Sequence, residues 1–331
     1  MAEAKYDVVG IGNAIVDVIG RCDEAFLAKH GATKGSMRLI DTPTVQALYT
    51  DMGPAIEISG GSAANTMVGI ASFGGKSAFI GKVADDELGR IFGHDIRAAG
   101  VTFDTPPAKM GSAPTARSLI LVTPDGERTM NTFLGVSPEL DHGEVDAKLV
   151  RAAKVVYLEG YLFDRPEAKA AFRQAAKIAK EAGAKVALTL SDAFCVERHR
   201  AEFLDFIRAE VGILFANESE ITALYKVQTF EEAARLVRAD ADLAVVTRSA
   251  KGSVVLAGDK AVTIAPEAVS RVVDTTGAGD LYAAGFLFGL TAGKPLDVCG
   301  RLGSLAAAEI ISHVGARPET SLAKLAATKG L

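Results

Sequence analysis

The stretch Val273-Asp274-Thr275-Thr276-Gly277-Ala278-Gly279-Asp280 puts two glycines and a carboxylic acid directly before an apolar run, Leu281 to Leu290. That run is too rich in Ala, Leu and Phe for a loop and reads as a buried helix entered through a turn. Gly277 and Gly279 strip side chains from the first helical turn, so a ligand can reach backbone N–H groups that have no intrahelical partner there. With the positive end of the helix dipole, those groups of Gly277, Ala278 and Gly279 suit a phosphate. Asp280 lies three residues after Gly277, where its carboxylate can face whatever the N–H groups hold. An anion cradle beside a fixed base is the equipment of phosphoryl transfer.

Further polar positions sit at the ends of apolar runs. Gly60-Gly61-Ser62-Ala63-Ala64-Asn65-Thr66 leads into a helical run, Ala64 to Phe73; its double glycine admits a ligand to the backbone, and Asn65 offers a donor and an acceptor to vicinal hydroxyls. Asn13 and Asp17 bracket the residues after the first strand, a place for ligand contacts or for polar groups that satisfy turn backbone. Asn217 and Glu220 start a helix after a strand; their spacing serves a site at the sheet edge and equally a capping box. Thr247-Arg248-Ser249-Ala250-Lys251-Gly252 is a polar, glycine-closed turn at the same edge. Two motifs fail on spacing. Gly10-Ile11-Gly12 lacks the third glycine of a dinucleotide fingerprint, which would fall at Ile15, and Gly75-Lys76-Ser77 lacks the first glycine of a P-loop, which would fall at Ile70.

The elements that must position these residues alternate. Tyr6 to Gly12, Ala78 to Val83, Val155 to Leu158, Val186 to Leu190, Val211 to Phe215 and Leu243 to Thr247 read as short buried strands. Between and after them fall the helical runs Pro166 to Ala182, Glu197 to Arg208, Phe230 to Arg238, Leu296 to Ser312 and Ser321 to Ala327. Strand and helix in alternation predict an α/β fold, a doubly wound, mostly parallel sheet with helices on both faces. Two regions depart from it, about 16–60 and 101–135, where short β-like runs mix with polar turns; Ala116 to Thr123 and Arg128 to Phe133 flank Pro124-Asp125-Gly126 as a hairpin. They are expected to build a small β-sheet lid on a single 1–331 core.

Composition narrows the partners. A net charge of -5 without a dense basic block argues against nucleic acid, and no apolar stretch is long enough for a membrane span. Cys22, Cys195 and Cys299 are odd in number and lack metal-ligand spacing, as expected of reduced thiols in the cytoplasm. Glu3, Lys5 and Asp7 precede any apolar run, so no targeting address is expected. A small-molecule substrate and a monomer or homodimer are the expectation.

Taken in order, the Gly-Gly-x-x-x-Asn block at 60–65, the Asn-x-x-Glu at 217–220, the Thr-x-x-x-x-Gly turn at 247–252 and the Asp-Thr-Thr-Gly-Ala-Gly-Asp signature resemble the ribokinase-like (PfkB) carbohydrate kinase family over nearly the whole chain. That resemblance implies a ribokinase-like fold with a β-sheet lid and Asp280 as the general base taking a proton from the acceptor hydroxyl. It implies that the N–H groups at 277–279 form the anion hole, that Asn217 and Glu220 organise Mg²⁺ around ATP, and that Thr247, Ser249 and Gly252 border the nucleotide. It also implies a potassium ion near Asp274, Thr276 and the backbone at Gly315. Within the family, Gly12-Asn13-x-x-x-Asp17 is similar to the adenosine-kinase branch, where the acid grips the ribose hydroxyls with the residues matching Gly60, Gly61 and Asn65. In that branch a lid Arg reaches the transferring phosphate, which points to Arg128. A Gly-aromatic-aromatic-Leu run packs on the purine there; here it is Gly160-Tyr161-Leu162-Phe163, so the stacking ring is Tyr161 or Phe163. Leu119, Met130, Phe133 and Leu134 form an apolar lid set suited to a base. The implied activity is ATP-dependent phosphorylation of a purine nucleoside at its 5′-hydroxyl. The alternatives are a ribose or fructose kinase and a catalytically silent nucleoside- or sugar-binding regulator on the same fold.

Overall fold

A computed structural model describes residues 4–109 and 111–331; of the positions discussed above, Glu3 lies outside them. The strands, in chain order, are β1 Tyr6–Ile11, β2 Ile15–Arg21, β3 Met37–Leu39, β4 Ala55–Gly60, β5 Ser77–Ile80, β6 Ala116–Val122 and β7 Arg128–Phe133, then β8 Ala153–Glu159, β9 Lys185–Thr189, β10 Ile213–Asn217, β11 Leu243–Thr247, β12 Ser253–Ala257 and β13 Lys260–Ile264. Eight of them form one sheet in the order β13-β12-β11-β10-β9-β8-β1-β5. From β5 to β11 every pairing is parallel, while β12 and β13 add antiparallel strands at one edge. The near-continuous apolar strands are explained by burial on both faces. In β1, Val8 packs with Met67 and Phe286 on one side, whereas Val9 and Ile11 pack with Phe172 and Phe203 on the other.

The chain crosses the sheet in both directions from β1, to β5 on one side and β8 on the other, which makes β1/β8 the topological switch point. Ligands in open α/β sheets bind beyond the carboxyl ends of the strands at such a point. The helices Ser62–Ser72 and Ala278–Thr291 pack there with their backbones close: a methyl group on Gly69 would lie 2.5 Å from the Ala284 Cβ. That approach brings the first turns of the two helices together.

The remaining five strands form a smaller sheet, β3-β7-β6-β2-β4. Its outer face is closed by two helices, Glu24–Lys29 and Thr42–Asp51, in a region read from sequence as strands and turns only. Residues 101–108 differ from expectation too: they run beside the large sheet, with bridges Ala78 to Thr102 and Ala84 to Ala108, and do not join the small one. Among the described residues no helix is long and apolar enough to cross a membrane.

Candidate active site

Asp280 occupies the first turn of its helix, entered through Gly277 at φ 79°, a left-handed conformation that glycine adopts without strain. Two residues from the other helix fix the carboxylate. Ser62 donates its hydroxyl to Oδ1 at 2.6 Å and Asn65 donates Nδ2 to Oδ2 at 3.0 Å. Burial raises the Asp280 pKa, while these two hydrogen bonds and the charge of Arg317 oppose the rise. A carboxylate so held is a stronger base than a solvated one. The Asn65 Oδ1 is buried without a partner, leaving one free acceptor beside the Asp280 carboxylate.

The N–H cradle differs from the sequence expectation in one member. Ala278 turns its N–H back onto the Thr275 carbonyl at 3.2 Å. No acceptor among the described residues takes the N–H of Gly277, Gly279 or Asp280. The open cradle therefore differs by one member, with the N–H of Asp280 replacing that of Ala278.

Asp17 enters from β2. The residue is half-buried, and its carboxylate packs against Gly60 and accepts no hydrogen bond from any described residue. Burial lifts its pKa to about 6 against the opposing charges of Arg317 and Arg128, with Asp280 adding to the rise. Gly61, at φ 95°, lies so close to Asn13 that a Cβ would meet its carbonyl oxygen at 2.2 Å. Asn13 itself is not available to a ligand. Its Nδ2 donates to Glu159 at 2.8 Å and its Oδ1 accepts from Ser137 at 3.0 Å, so it serves as a brace at the end of β1. Glu159, buried at the end of β8, also accepts the Ala63 N–H at 2.9 Å and so caps the Ser62 helix from a distant strand.

Beyond Asp280 opens a cavity of about 700 Å³, within the usual range for a ligand site. Asn217, Glu220, Thr247, Ser249 and Gly252 line its sheet edge, and Gly279 and Asp280 its helix edge. Asn217 and Glu220 form a complete capping box, and Asn217 Nδ2 also donates to Glu220 at 2.6 Å. They face the cavity as well. The far wall comes from Pro266, Val269 and Val272 and from Ala307, Ala308 and Ile311, none of which carried a sequence signal.

Four expected site residues lie elsewhere or are otherwise engaged. Phe163 stacks on Phe203 at 4.1 Å and meets Phe172 and Phe206 edge-on, deep in the core; Tyr161 is only partly buried and is held to Ser191, which lines the cavity. Leu119 pairs with Val18 in β2, which puts both on the face opposite Asp17, packed with Leu27, Val45 and Leu48; Phe133 joins that cluster. Met130 does lie on the Asp17 face, through the pairings Ile19 to Ile120 to Met130, and Leu134 follows the strand partly exposed. Ile19 and Ile120 are apolar members of that face which sequence reasoning missed. Arg128 pairs with Asp274 and reaches Thr276 at 3.2 Å; its Nε and Nη2 are buried without partners.

That pairing bears on the expected potassium site. The Asp274 carboxylate already accepts from Arg128, from the N–H and hydroxyl of Thr276, and from the Gly315 N–H at 2.9 Å. Donors surround it on every bonding direction, and Gly315 turns an N–H to the acid where a cation would need an oxygen. Asp274, Thr276 and Gly315 as arranged here do not fit a monovalent cation. Glu220 fits a hard divalent cation better, as a buried carboxyl at the cavity edge whose proton a cation would displace.

Buried carboxyls leave a signature in stability. Burial raises the pKa of Glu159 and of Glu220 from 4.5 to about 7 in each case. Both bind their proton more tightly in the folded chain, so their contribution is complete below the unfolded value and lost as pH rises through about 7. Carboxylates held low at the surface, such as Asp125 beside Lys34, titrate only at more acid pH. Denaturant unfolding of the ligand-free protein is therefore expected to give a stability lower by about 2–4 kcal/mol at pH 8 than at pH 5.5. Equal stability at the two values would mean that both groups are already ionised at pH 5.5.

Comparison with known proteins adds an independent line. A model of the pfkB family of carbohydrate kinases matches residues 57–322. The solved structure of adenosine kinase from Sinorhizobium meliloti is 54% identical, covering 99% of this chain and 100% of its own, with a TM-score of 0.92. A probable sugar kinase from Rhizobium etli CFN 42 is 50% identical, covering 99% of each chain, with the same TM-score of 0.92. Fructokinase-1 of Oryza sativa subsp. japonica is 30% identical over 266 residues, 76% of this chain and 80% of that protein.

Proposed function

This chain belongs to the pfkB family of carbohydrate kinases, a family of phosphotransferases with an alcohol acceptor, and within it we propose that the acceptor is adenosine, phosphorylated at its 5′-hydroxyl with ATP as donor. The observation that supports the ribose end of such an acceptor is the unpaired Asp17 carboxylate beside Gly60 and Gly61, across from the base. A carboxylate with both oxygens free grips two neighbouring hydroxyls, and the free Asn65 Oδ1 can accept from one of them. The likeness to an adenosine kinase at 54% identity supports the same reading.

Asp280 takes the proton of the acceptor hydroxyl as its oxygen bonds to the γ-phosphorus of ATP; the bond to the β–γ bridging oxygen breaks, and ADP leaves. The N–H groups of Gly277, Gly279 and Asp280 meet the charge that develops on the transferring group. Asn217 and Glu220 would hold a Mg²⁺ with its waters, which when bound neutralises phosphate charge. Thr247, Ser249 and Gly252 border the nucleotide, with the apolar wall from Pro266 to Val272 against its base. The small sheet acts as a lid, bringing Arg128 to the phosphate and laying Ile19, Ile120, Met130 and Leu134 over a flat acceptor base beside Tyr161.

A free-sugar kinase is the second reading. The fructokinase relative favours it, as does the loss of Leu119, Phe133 and Phe163 from the expected apolar slot. Competition of adenosine, 2′-deoxyadenosine, ribose and fructose at equal concentration with ATP and Mg²⁺ separates the two. Adenosine is expected to exceed either sugar in kcat/KM by about a hundredfold, which needs only ~2.7 kcal/mol of differential transition-state binding. The deoxynucleoside should also fall behind, since it leaves an Asp17 oxygen unpaired. Preferential phosphorylation of ribose or fructose would sink the nucleoside reading, and no turnover of any acceptor would favour a silent binding protein.

A further inference from the structure

We propose that Arg317 is a positioning residue that ties the end of β4 to the first turn of the helix Ser62–Ser72 and supplies a fixed positive charge near both Asp17 and Asp280. Its role rests on Asp280 being the base.

Three observations converge on it. Arg317 Nε donates to the Ser59 carbonyl at 2.9 Å and Nη2 to the Ser59 hydroxyl at 3.2 Å, while Nη1 donates to the Ala64 carbonyl at 3.3 Å. Ser59 is the penultimate residue of β4, next to Gly60, on which Asp17 packs; Ala64 precedes Asn65, which holds Asp280. One guanidinium therefore spans the chain reversal at Gly61, with the acceptor-side acid at one end and the base's orienting amide at the other. Its neighbour Ala316 packs against Gly277, the cap of the catalytic helix, where a methyl group would lie 2.9 Å from the Ala316 Cβ. The loop is held from behind by Glu309, which accepts the N–H groups of Glu319 and Thr320 at 3.0 and 2.8 Å.

The charged groups facing Arg317 are all acids: Asp17 on β2, Asp280 on its helix, and Asp95 on the helix Glu87–Ala98, which also accepts the Ser59 N–H. None of them hydrogen-bonds the guanidinium, so the cation acts on them through space in a site of low polarity. Burial pulls the Arg317 pKa down to about 10, and it stays charged at neutral pH. Its charge opposes the desolvation of Asp17 and Asp280, which would otherwise favour their protonated, inactive forms.

A plain backbone clamp would need only the hydrogen bonds, so charge and geometry can be separated. Arg317→Gln keeps N–H donors and loses the charge; Arg317→Lys keeps the charge and loses the fork; Arg317→Met loses both. Carbon-13 carboxylate NMR of the full chain, with the Asp280 signal assigned by its absence in Asp280→Asn, should show Asp280 titrating at higher pH in the Gln and Met variants and near wild type in Lys. The acid limb of kcat/KM should move up by about one pH unit with it, a loss of about tenfold at any pH on that limb. Amide exchange at Ser59 to Gly61 should quicken in Met and Lys more than in Gln. Asp280 titrating alike in wild type and Arg317→Gln would overturn the proposal even if activity fell. The NMR reading needs no acceptor, so failure to phosphorylate adenosine would count against the proposed function and leave Arg317 to be decided by the titration.

Discussion

Asp280→Asn is expected to lower kcat by about 10² to 10⁴ while acceptor affinity stays near wild type, the range spanned by a positioned general base. The substitution removes proton affinity and leaves the shape of the site, while the Asn65 amide must turn to suit it. Ser62 can still donate to the amide oxygen at Oδ1. The new amide nitrogen would face the Asn65 Nδ2, donor against donor, but Asn65 has a spare buried acceptor in its Oδ1 and restores the contact by rotating its own amide. Burial already penalises the charged carboxylate, so removing that charge should leave the melting temperature unchanged or higher. Steady-state kinetics with calorimetric acceptor binding would check the separation of kcat from Kd. A variant that keeps near wild-type kcat would mean that the base lies elsewhere.

What made Asp280 legible is that the helix entrance carrying it is local. Two glycines, an acid and an apolar run specify a helix entrance within a few residues, and the structure departs only in the turned-back N–H of Ala278. The parallel sheet was legible for a similar reason, since a strand buried on both faces has an apolar signature of its own. That signature also conceals which way a side chain points. In β6, Leu119, Ile120 and Leu121 are consecutive and all buried, so alternation could not show that Leu119 faces the helices outside the small sheet while Ile120 shares the side of Asp17. Phe163 follows β8 in a short 3-10 turn, Gly160–Asp164, where the strand's alternation gives no guide; the ring falls into the core. Ser62 stood inside a motif already singled out, but nothing near it reveals a partner 218 residues away. Arg317 had no local signal at all, because its meaning lies in carbonyls and acids brought in from β2, β4 and three helices.

Arg128→Ala should lower kcat by about 10² to 10³ and weaken acceptor binding far less, the cost typical of losing one preorganised donor to a developing charge. In the ligand-free chain Arg128 pairs with Asp274, joining the small sheet to the loop before the catalytic helix. That pair leaves Nε and Nη2 buried without partners, and a buried guanidinium with unused donors is costly. A phosphoryl group arriving at the neighbouring helix entrance offers oxygens to those nitrogens in the bidentate geometry that arginine favours. Asp274 would then hold the hinge side of the guanidinium while the other side meets phosphate, so transfer waits on a closed small sheet and water stays excluded. Arg128→Lys should recover little, since an ammonium is one point of charge and cannot serve both partners at once. The measurements are kcat, acceptor Kd and ATP hydrolysis without acceptor in wild type and both variants. An equal loss of kcat and acceptor affinity, or brisk acceptor-free hydrolysis by the wild type, would show that Arg128 holds the fold together without closing on the phosphate.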